Sequence, residues 1–350
     1  ERQLPCLGNS FYMFQQRYDL LLDDFLAFTL DKLNRSKEAL ENYDQAIQIG
    51  PNISDYYNGK ALTLVKMNRY YEALENYDQA ILINSNDFRY NFNKAALLYN
   101  MNKFEEAQEN YEIGFQKNPE YYDYYYRKAD TLEKMNRFQE ALEYYDEAIL
   151  KNPTISKYYS RKAFILCKKK QFEEALENYD IAISIDPEDS EGYFGKANTL
   201  SQMNRFEEAL QFYESAIQKN PENSDYCYHK GYTLNQMQRF EEALQWYDSA
   251  IERNPEKSDY YNRKANTLDQ MQRFEEALEG YDLAIQKNPE NQSCHINKAY
   301  TLDKLDKLQK IFNIQNNSNV QKKYNYNFQL IKQYINRYQE FRDLVNEHSK

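Results

Sequence analysis

A single stretch of sequence recurs along most of this chain at a constant interval of 34 residues. Its clearest copy, YYRKADTLEKMNRFQEALEYYDEAILKNP, runs from Tyr125 to Pro153. The other copies end at the same interval upstream and downstream, at Pro51, Ser85, Pro119, Pro187, Pro221, Pro255 and Pro289. A fixed period of roughly 20–50 residues is typical of stacked repeats, each of which buries its apolar face only against its neighbours. The period therefore predicts a repeat array, although 350 residues would otherwise indicate about two globular domains.

Placing the proline near the end of the repeat divides the chain into three regions. Residues 1–19 fit no copy and form an N-terminal flanking segment. Residues 306–350 hold a degenerate half-repeat, a polar break and an amphipathic pattern, which predicts a C-terminal capping helix. That helix is also a candidate for docking a partner or a second copy of the chain. The array between these regions, 20–305, consists of eight full repeats and a partial ninth: 20–53, 54–87, 88–121, 122–155, 156–189, 190–223, 224–257, 258–291 and 292–305.

Each repeat shows two helical patterns separated by a short turn. In the fourth repeat we expect helices over about 123–135 and 138–151, joined through Asn136. Asparagine tolerates the left-handed backbone conformation that often ends a helix, and proline after Asn152 prevents the second helix from continuing. The 8th, 20th and 27th residues of every full repeat are alanine or glycine, which allows close helix crossing, and the 24th is tyrosine. The chain is therefore predicted to be all-α.

This arrangement resembles the tetratricopeptide (TPR) repeat, a 34-residue helix–turn–helix with the pattern W-x2-L-G-x2-Y, then A-x3-F, then P. The A-x3-F element appears as Ala141-x3-Tyr145 and its equivalents in all eight full repeats, and tyrosine mostly replaces the tryptophan, as at Tyr57. The resemblance implies an α-solenoid, a right-handed superhelix of antiparallel helix pairs. It also implies that the first helices line a concave groove and that the second helices form the convex wall.

The repeat departs from the TPR pattern at one position, where lysine replaces leucine in repeats two to nine. These lysines are Lys60, Lys94, Lys128, Lys162, Lys196, Lys230, Lys264 and Lys298. One interpretation is that each aliphatic stem packs between helices while the ammonium reaches water. The alternative is a ladder of ion pairs to acids of the preceding repeat, with nitrogen–oxygen distances under about 4 Å. The candidate acids are Asp44, Asp78, Asp146, Asp180, Asp248 and Asp282.

Charge is unevenly divided between the two helices of the repeat. The chain has a net charge of −11, which argues against a general binder of nucleic acid or of anionic membranes. The first helices sum to +7, whereas the second helices with their turns sum to −22. In the superhelix that the resemblance implies, the groove is therefore neutral to basic and the outer wall is acidic. This bias indicates a ligand in the groove.

Candidate binding residues lie on the first helices, and the most basic of these helices belongs to the fifth repeat. Aromatic and amide side chains accompany the basic ones at places predicted to face the groove. The candidate set is Arg89, Phe92, Tyr126, Arg127, Lys157, Arg161, Phe164, Lys168, Asn198, Tyr228, Tyr232 and Asn266. We hypothesise that an extended or helical protein segment with acidic and apolar residues binds across repeats three to five. The alternative is that these residues are ordinary solvated side chains of a scaffold bound elsewhere.

Two other binding functions fit parts of the sequence. One TPR subclass clamps the C-terminal carboxylate of chaperones with lysine and asparagine on three neighbouring first helices. Lys157 and Arg161 match the pair in the third repeat of that clamp, but Phe92, Ala96 and Arg127 stand where Lys, Asn and Asn are expected. An RNA-binding helical repeat is the second alternative, because the fifth repeat is basic, but the acidic total counts against it.

Motifs of catalysis and of cofactor binding are missing from the sequence. It contains no GxxxxGK[ST], GxGxxG, HExxH or GxSxG. Cys227 and His295 both occupy the tyrosine position of the repeat, so packing explains them better than metal ligation. We therefore expect a non-enzymatic protein without a cofactor or a metal. The spacing of the four cysteines indicates no disulfide framework, which favours a reducing, cytoplasmic location, although a chain that begins at Glu1 can be a fragment.

Overall fold

The computed structural model describes residues 26–27, 29–30, 32–121 and 123–311, with the side chains of 308–311 excepted. Within these residues the regular structure is α-helical and includes no β-strand, so the predicted all-α class is confirmed for this part of the chain. Even-numbered helices are the first helices of the repeats and are termed A helices; odd-numbered ones are the second helices, or B helices. The bounds are α1 Ser36–Ile49, α2 Ser54–Lys66, α3 Tyr70–Ile83, α4 Phe88–Asn100, α5 Phe104–Lys117, α6 Asp123–Lys134, α7 Phe138–Lys151, α8 Ser156–Lys168, α9 Phe172–Ile185, α10 Ser190–Gln202, α11 Phe206–Lys219, α12 Ser224–Gln236, α13 Phe240–Arg253, α14 Ser258–Gln270, α15 Phe274–Lys287 and α16 Gln292–Ile311.

The turn between the A and B helices of a repeat has one geometry throughout. In the fourth repeat the backbone nitrogen of Arg137 donates to the carbonyl of Leu132 at 2.9 Å, which satisfies a carbonyl at the end of the A helix. The residue before it, Asn136, is in the left-handed conformation, as the sequence predicts. The equivalent residues of the described turns share a φ of 58–62°: Asn34, Asn68, Asn102, Asn136, Lys170, Asn204, Gln238 and Gln272.

The described chain divides into two compact bodies, an N-terminal body up to Ile165 and a C-terminal body from Leu166. Consecutive helices pack against each other from α1 to α7 in the first body and from α9 to α16 in the second. The A helices of neighbouring repeats also contact one another, as α2 does with α4 and α12 does with α14. Helix pairs stacked in this way form an α-solenoid, in which A helices lie side by side along one face of each body.

Small residues and one tyrosine build the core of each repeat. In the fourth repeat Ala141 and Ala148 are buried, and the ring of Tyr145 is buried with them. Alanine lets the helix backbones approach closely, and the aromatic ring fills the remaining space. Gly114 replaces the last of these alanines in the third repeat, where a Cβ would lie 2.6 Å from the Phe92 ring. The glycine therefore provides the volume that Phe92 occupies.

A ladder of ion pairs joins successive repeats within each body. The lysine at the seventh residue of a repeat donates to the acid at the 25th residue of the preceding repeat, for example at 2.5 Å from Lys60 to Asp44 and 2.8 Å from Lys128 to Glu112. The ladder hypothesis is confirmed, and Glu112 and Glu214 extend it where the sequence search considered only aspartate. The pairs are Lys60–Asp44, Lys94–Asp78, Lys128–Glu112, Lys162–Asp146, Lys196–Asp180, Lys230–Glu214, Lys264–Asp248 and Lys298–Asp282.

The two ends of the chain lie largely outside the described residues. Helix α16 continues the array for 20 residues. Its Thr301 and Lys304 donate to the carboxylate of Asp269 on α14, at 2.8 and 2.5 Å. The flanking segment 1–19, the predicted C-terminal capping helix and its possible self-association fall beyond the described ranges. Among the helices that the structure describes, none has the length and apolar character needed to cross a bilayer.

Candidate partner-binding face on the A helices

The chemistry of the A helices varies most at the sixth residue of the repeat, and neighbouring A helices touch there. Asn93 Nδ2 donates to Asn58 Oδ1 at 2.9 Å, and Asn297 Nδ2 donates to Asn262 Oδ1 at 3.1 Å. We term the A face the sixth and ninth residues of the repeats together with the side chains that contact them. Along the array, from the second repeat, the sixth residue is Gly59, Asn93, Arg127, Arg161, Gly195, His229, Arg263 and Asn297.

Two of the predicted arginines in the N-terminal body are paired with acids. Arg89 contacts Asp87 at 2.5 Å and Asp55, in the preceding repeat, at 3.0 Å. Arg127 Nε donates to Asp123 Oδ2 at 2.9 Å, one turn earlier in the same helix. Both guanidinium groups stay about half exposed, so a ligand can reach them, but it must compete with these carboxylates.

Arg161 lies in a more buried network. Its guanidinium is 3.0 Å from Asp130 and 3.6 Å from Glu133, both on the preceding A helix. The two carboxylates are buried, and the Tyr145 hydroxyl donates to Glu133 at 3.1 Å. Burial raises the pKa of Glu133 above its ordinary value. Two acids therefore surround one arginine, and the basic character that the sequence assigns to Arg161 is neutralised within the protein.

The expectation that Phe92 and Tyr126 offer their rings to a ligand is wrong. Phe92 is only 7% exposed and packs edge-on to Tyr121, with ring centroids 4.6 Å apart, because Gly114 leaves room for it. Tyr126 is 4% exposed and stacks on Tyr158 of the next A helix, with ring centroids 5.2 Å apart. Both rings stabilise the stack of repeats instead of forming an open surface.

Three candidate residues of the fifth repeat are exposed. Lys157 Nζ lies 5.0 Å from the centroid of Tyr126, within range of a cation–π interaction. Phe164 is 38% exposed, an unusually open position for an aromatic ring. Lys168 is exposed as well, but it belongs to the C-terminal body. In the N-terminal body, Lys157 and Phe164 thus remain the accessible part of the predicted basic and aromatic cluster.

The two predicted amides of the C-terminal body already accept hydrogen bonds from the scaffold. Tyr213 donates its hydroxyl hydrogen to Asn198 Oδ1 at 2.6 Å, and Tyr281 donates to Asn266 Oδ1 at 2.7 Å. Each amide is the ninth residue of its repeat and satisfies the buried tyrosine at the 24th residue. Their oxygens are therefore engaged, which differs from the expectation that both amides are reserved for a peptide backbone.

Tyr228 and Tyr232 lie on α12 beside an arginine of α14. Arg263 Nε donates to the Tyr228 hydroxyl at 3.4 Å, and the guanidinium carbon lies 5.1 Å from the centroid of Tyr232. The Tyr232 hydroxyl accepts a hydrogen bond from Gln236 Nε2 at 2.8 Å. The structure thus brings these two predicted residues together around one cation.

Sequence models of known families match most of this array. Three tetratricopeptide repeat models match residues 54–87, 92–154, 166–226, 202–267 and 258–291, which together span well over half of the chain. The chain belongs to the tetratricopeptide repeat family. Among curated proteins, no sequence matches this TPR protein.

Solved structures of other TPR proteins share the fold. A tetratricopeptide repeat protein from Parabacteroides merdae is 12% identical, with a TM-score of 0.60 over 72% of this chain and 100% of the other. PilF from Pseudomonas aeruginosa is 17% identical, with a TM-score of 0.52 over 61% of this chain and 96% of the other. YrrB, described as a TPR protein with an unusual peptide-binding site, is 23% identical over 51% of this chain and 92% of its own, with a TM-score of 0.41.

The unusual cysteine and histidine of this TPR protein are packing residues. His295 Nε2 is 2.9 Å from the carbonyl of Pro289, and the equivalent Tyr261 donates to the carbonyl of Pro255 at 3.2 Å. Cys227, at the same position, is fully buried. Histidine thus reproduces the tyrosine contact. In the part of the chain that the structure describes, no group of three or more potential metal ligands comes together.

Sequence reasoning missed Arg263 as a component of the A face. This TPR protein has arginine as the sixth residue of three repeats, and Arg127 and Arg161 were the two selected for their basic neighbourhood. The informative comparison is between this arginine and the ninth residue of the preceding repeat, which is Asp130 for Arg161 and Tyr232 for Arg263. That comparison needs only the period, so the sequence does contain it.

Proposed function

We propose that this TPR protein is a non-catalytic scaffold whose A face binds a segment of a partner protein. The observation that carries the proposal is the contrast between the constant and variable residues of the repeat. Constant residues build the core, the turns and the lysine ladder, while the variable sixth and ninth residues meet side by side on neighbouring A helices. A rigid scaffold with variable surface residues is typical of a recognition surface.

The partner segment carries acidic and apolar residues. In the N-terminal body the accessible residues around Arg127 are Lys157 and Phe164, a combination of cation and ring that suits such a segment. The pairing of Arg161 with Asp130 and Glu133 weakens the case for a clamp that recognises chaperone tails, because that clamp needs the cation for the ligand. The same pairing reduces the basic character on which the RNA alternative depends.

Affinity capture with matched charge variants tests this function. Immobilised full-length chain is incubated with cell extract, and bound proteins are quantified by mass spectrometry. The A-face variant carries Arg127→Glu and Arg161→Glu, and the B-helix control carries Arg69→Glu and Arg137→Glu, each of which begins a B helix. Both variants have the same net charge, so a general electrostatic effect removes partners from both. We expect the A-face variant alone to lose a specific partner.

Two results reject the proposal for this face. One is capture by the A-face variant equal to that of the wild type, and the other is equal loss in the B-helix control. Because Arg161 is packed against two acids, circular dichroism must show unchanged helicity, and Arg161→Gln provides a milder substitution at the same position. The buried thiols of Cys167, Cys227 and Cys294 are free, which agrees with the reducing, cytoplasmic location that we propose.

A further inference from the structure

Arg263 is the arginine of the A face that has no acidic partner. Arg127 pairs with Asp123 at 2.9 Å, and Arg161 pairs with Asp130 at 3.0 Å. Arg263 is exposed and contacts two tyrosines, Tyr228 and Tyr232, and no carboxylate of the described residues lies within 4 Å of it. The same position of the repeat therefore holds a neutralised arginine in the fifth repeat and an uncompensated one in the eighth.

The preceding repeat explains this difference. Asp130 and Glu133, the ninth and twelfth residues of the fourth repeat, are the acids that contact Arg161. The ninth and twelfth residues of the seventh repeat are Tyr232 and Asn235, and Asn235 Oδ1 accepts from Thr267 at 3.1 Å. Two carboxylates are thus replaced by neutral groups, and the positive charge of Arg263 is left for a ligand.

The side chains around Arg263 also contain more hydrogen-bond donors than acceptors. The Tyr228 hydroxyl accepts from Arg263 and the Tyr232 hydroxyl accepts from Gln236, so the hydrogen of each hydroxyl is left over. The Tyr247 hydroxyl is buried, and it has no hydrogen-bond partner in the described chain, because Tyr232 stands where Asn198 and Asn266 accept from the equivalent tyrosines. Burial raises the pKa of Tyr247, which keeps this hydroxyl protonated.

We infer that Arg263, with Tyr228, Tyr232 and Tyr247, forms a subsite for the carboxylate of an aspartate or glutamate side chain in the partner's segment. The inference rests on the proposed function and names the chemistry that this part of the face recognises. A carboxylate has only acceptors, so it complements a guanidinium and hydroxyl groups that lack acceptors. The two exposed edges of the tyrosine rings then contact the apolar neighbours of that acid.

The arrangement of helices favours a side-chain carboxylate over a chain terminus. Helices α12 and α14 lie between α10 and α16, and each A helix contacts the next. A partner segment that crosses Arg263 therefore continues over an A helix on either side of the site. One cation in the subsite also matches the single charge of a carboxylate better than the charge of a phosphate, which is near two.

Peptide selection on the full chain tests the subsite. The probes are two libraries of N-acetylated, C-amidated decapeptides, randomised except for a central glutamate in one and a central glutamine in the other. The matched control for Arg263→Gln is Arg161→Gln, because it removes an arginine from the same position of the repeat that is already paired. We expect the wild type and Arg161→Gln to retain the glutamate library about tenfold better than the glutamine library. Arg263→Gln should abolish that preference, and Tyr247→Phe should reduce it.

Each other outcome contradicts the subsite. Equal retention of the two libraries by the wild type, or an unchanged preference in Arg263→Gln, overturns it while leaving the proposed function intact. Stronger retention of a third library with a free C-terminus, or competition by inorganic phosphate at millimolar concentration, assigns the site to another anion and also overturns it. Failure of the wild type to retain any peptide contradicts the proposed function itself.

Discussion

Lys230 and Glu214 form an ion pair at 2.7 Å, yet the lysine side chain is 6% exposed and the glutamate side chain is 58% exposed. The ammonium is also 4.0 Å from the centroid of Trp246. Removing the glutamate therefore leaves a nearly buried charge without its counterion, whereas removing the lysine leaves a glutamate that water solvates well. The energetic importance of this pair lies mainly in the partner that is exposed.

The first prediction follows from this asymmetry. Glu214→Gln should lower the free energy of unfolding by roughly 1–2 kcal/mol, while Lys230→Met should change it by less than about 1 kcal/mol. Thermal and urea denaturation followed by circular dichroism measure both changes. Asp78→Asn is the control, because its partner Lys94 is more exposed and loses less on removal of the acid. A larger cost for Lys230→Met than for Glu214→Gln would disprove the account.

A second prediction concerns Gly114 and Phe92. Gly114→Ala should destabilise the protein by about 1–3 kcal/mol, because the added Cβ lies 2.6 Å from the Phe92 ring, and the better helix propensity of alanine offsets only about 1 kcal/mol of this. Adding Phe92→Leu should recover part of the loss. The reciprocal control, Ala148→Gly, should cost about 1 kcal/mol or more. A Gly114→Ala variant as stable as the wild type would show that Phe92 moves freely.

A third prediction compares equivalent tyrosines. Tyr213→Phe and Tyr281→Phe should each cost about 1 kcal/mol, because they remove hydrogen bonds of 2.6 and 2.7 Å to asparagine. Tyr247→Phe should leave the stability of the unliganded protein unchanged or raise it, because it removes a buried hydroxyl without a partner. Parallel denaturation of the three variants makes the comparison. Equal losses in all three would mean that the Tyr247 hydroxyl is hydrogen-bonded in solution.

The fourth prediction is a pH dependence that involves Glu133. Burial raises the pKa of Glu133 above its ordinary 4.5, so its charged form lowers the stability of the folded protein above that raised pKa. Glu133→Gln should therefore be more stable than the wild type at pH 7. The difference should shrink as the pH falls through the raised pKa, and it should vanish below about 4.5.

Glu112 provides a control of opposite sign. Hydrogen bonds from Lys128 and Tyr124 lower the pKa of Glu112. Its charged form therefore contributes stability above pH 4.5, and this contribution is lost as the pH falls through the lowered pKa. Glu112→Gln should thus be less stable than the wild type at pH 7. Denaturation curves from pH 3 to 8 test both variants, and an identical pH profile for the two would contradict the assignment.

The period alone predicted most of the fold. The helices of the fourth repeat, Asp123–Lys134 and Phe138–Lys151, begin and end within one residue of the expected bounds. The left-handed Asn136 and the lysine ladder were also predictable, because both depend on residues at fixed places in every repeat. Features that repeat are set by the packing of one unit on the next, and sequence periodicity reports that packing directly.

The candidate site was harder to predict because it depends on departures from the repeat. Phe92 is buried because the residue opposite it, Gly114, is small, and no property of Phe92 itself reveals this. Arg161 and Arg263 occupy the same position but differ in their neighbours on the preceding helix. Composition counts both arginines as basic charge, whereas only pairing across the repeat boundary distinguishes a neutralised cation from an available one.

The lysine ladder has a consequence for how such a chain can change in length. Every junction pairs a lysine at the seventh residue of one repeat with an acid at the 25th residue of the one before, so any two repeats have compatible ends. Duplication or loss of a whole 34-residue segment in the gene then joins matched charges and leaves no ammonium stranded. The array can thus gain or shed recognition positions by recombination, one repeat at a time, while its junctions stay intact.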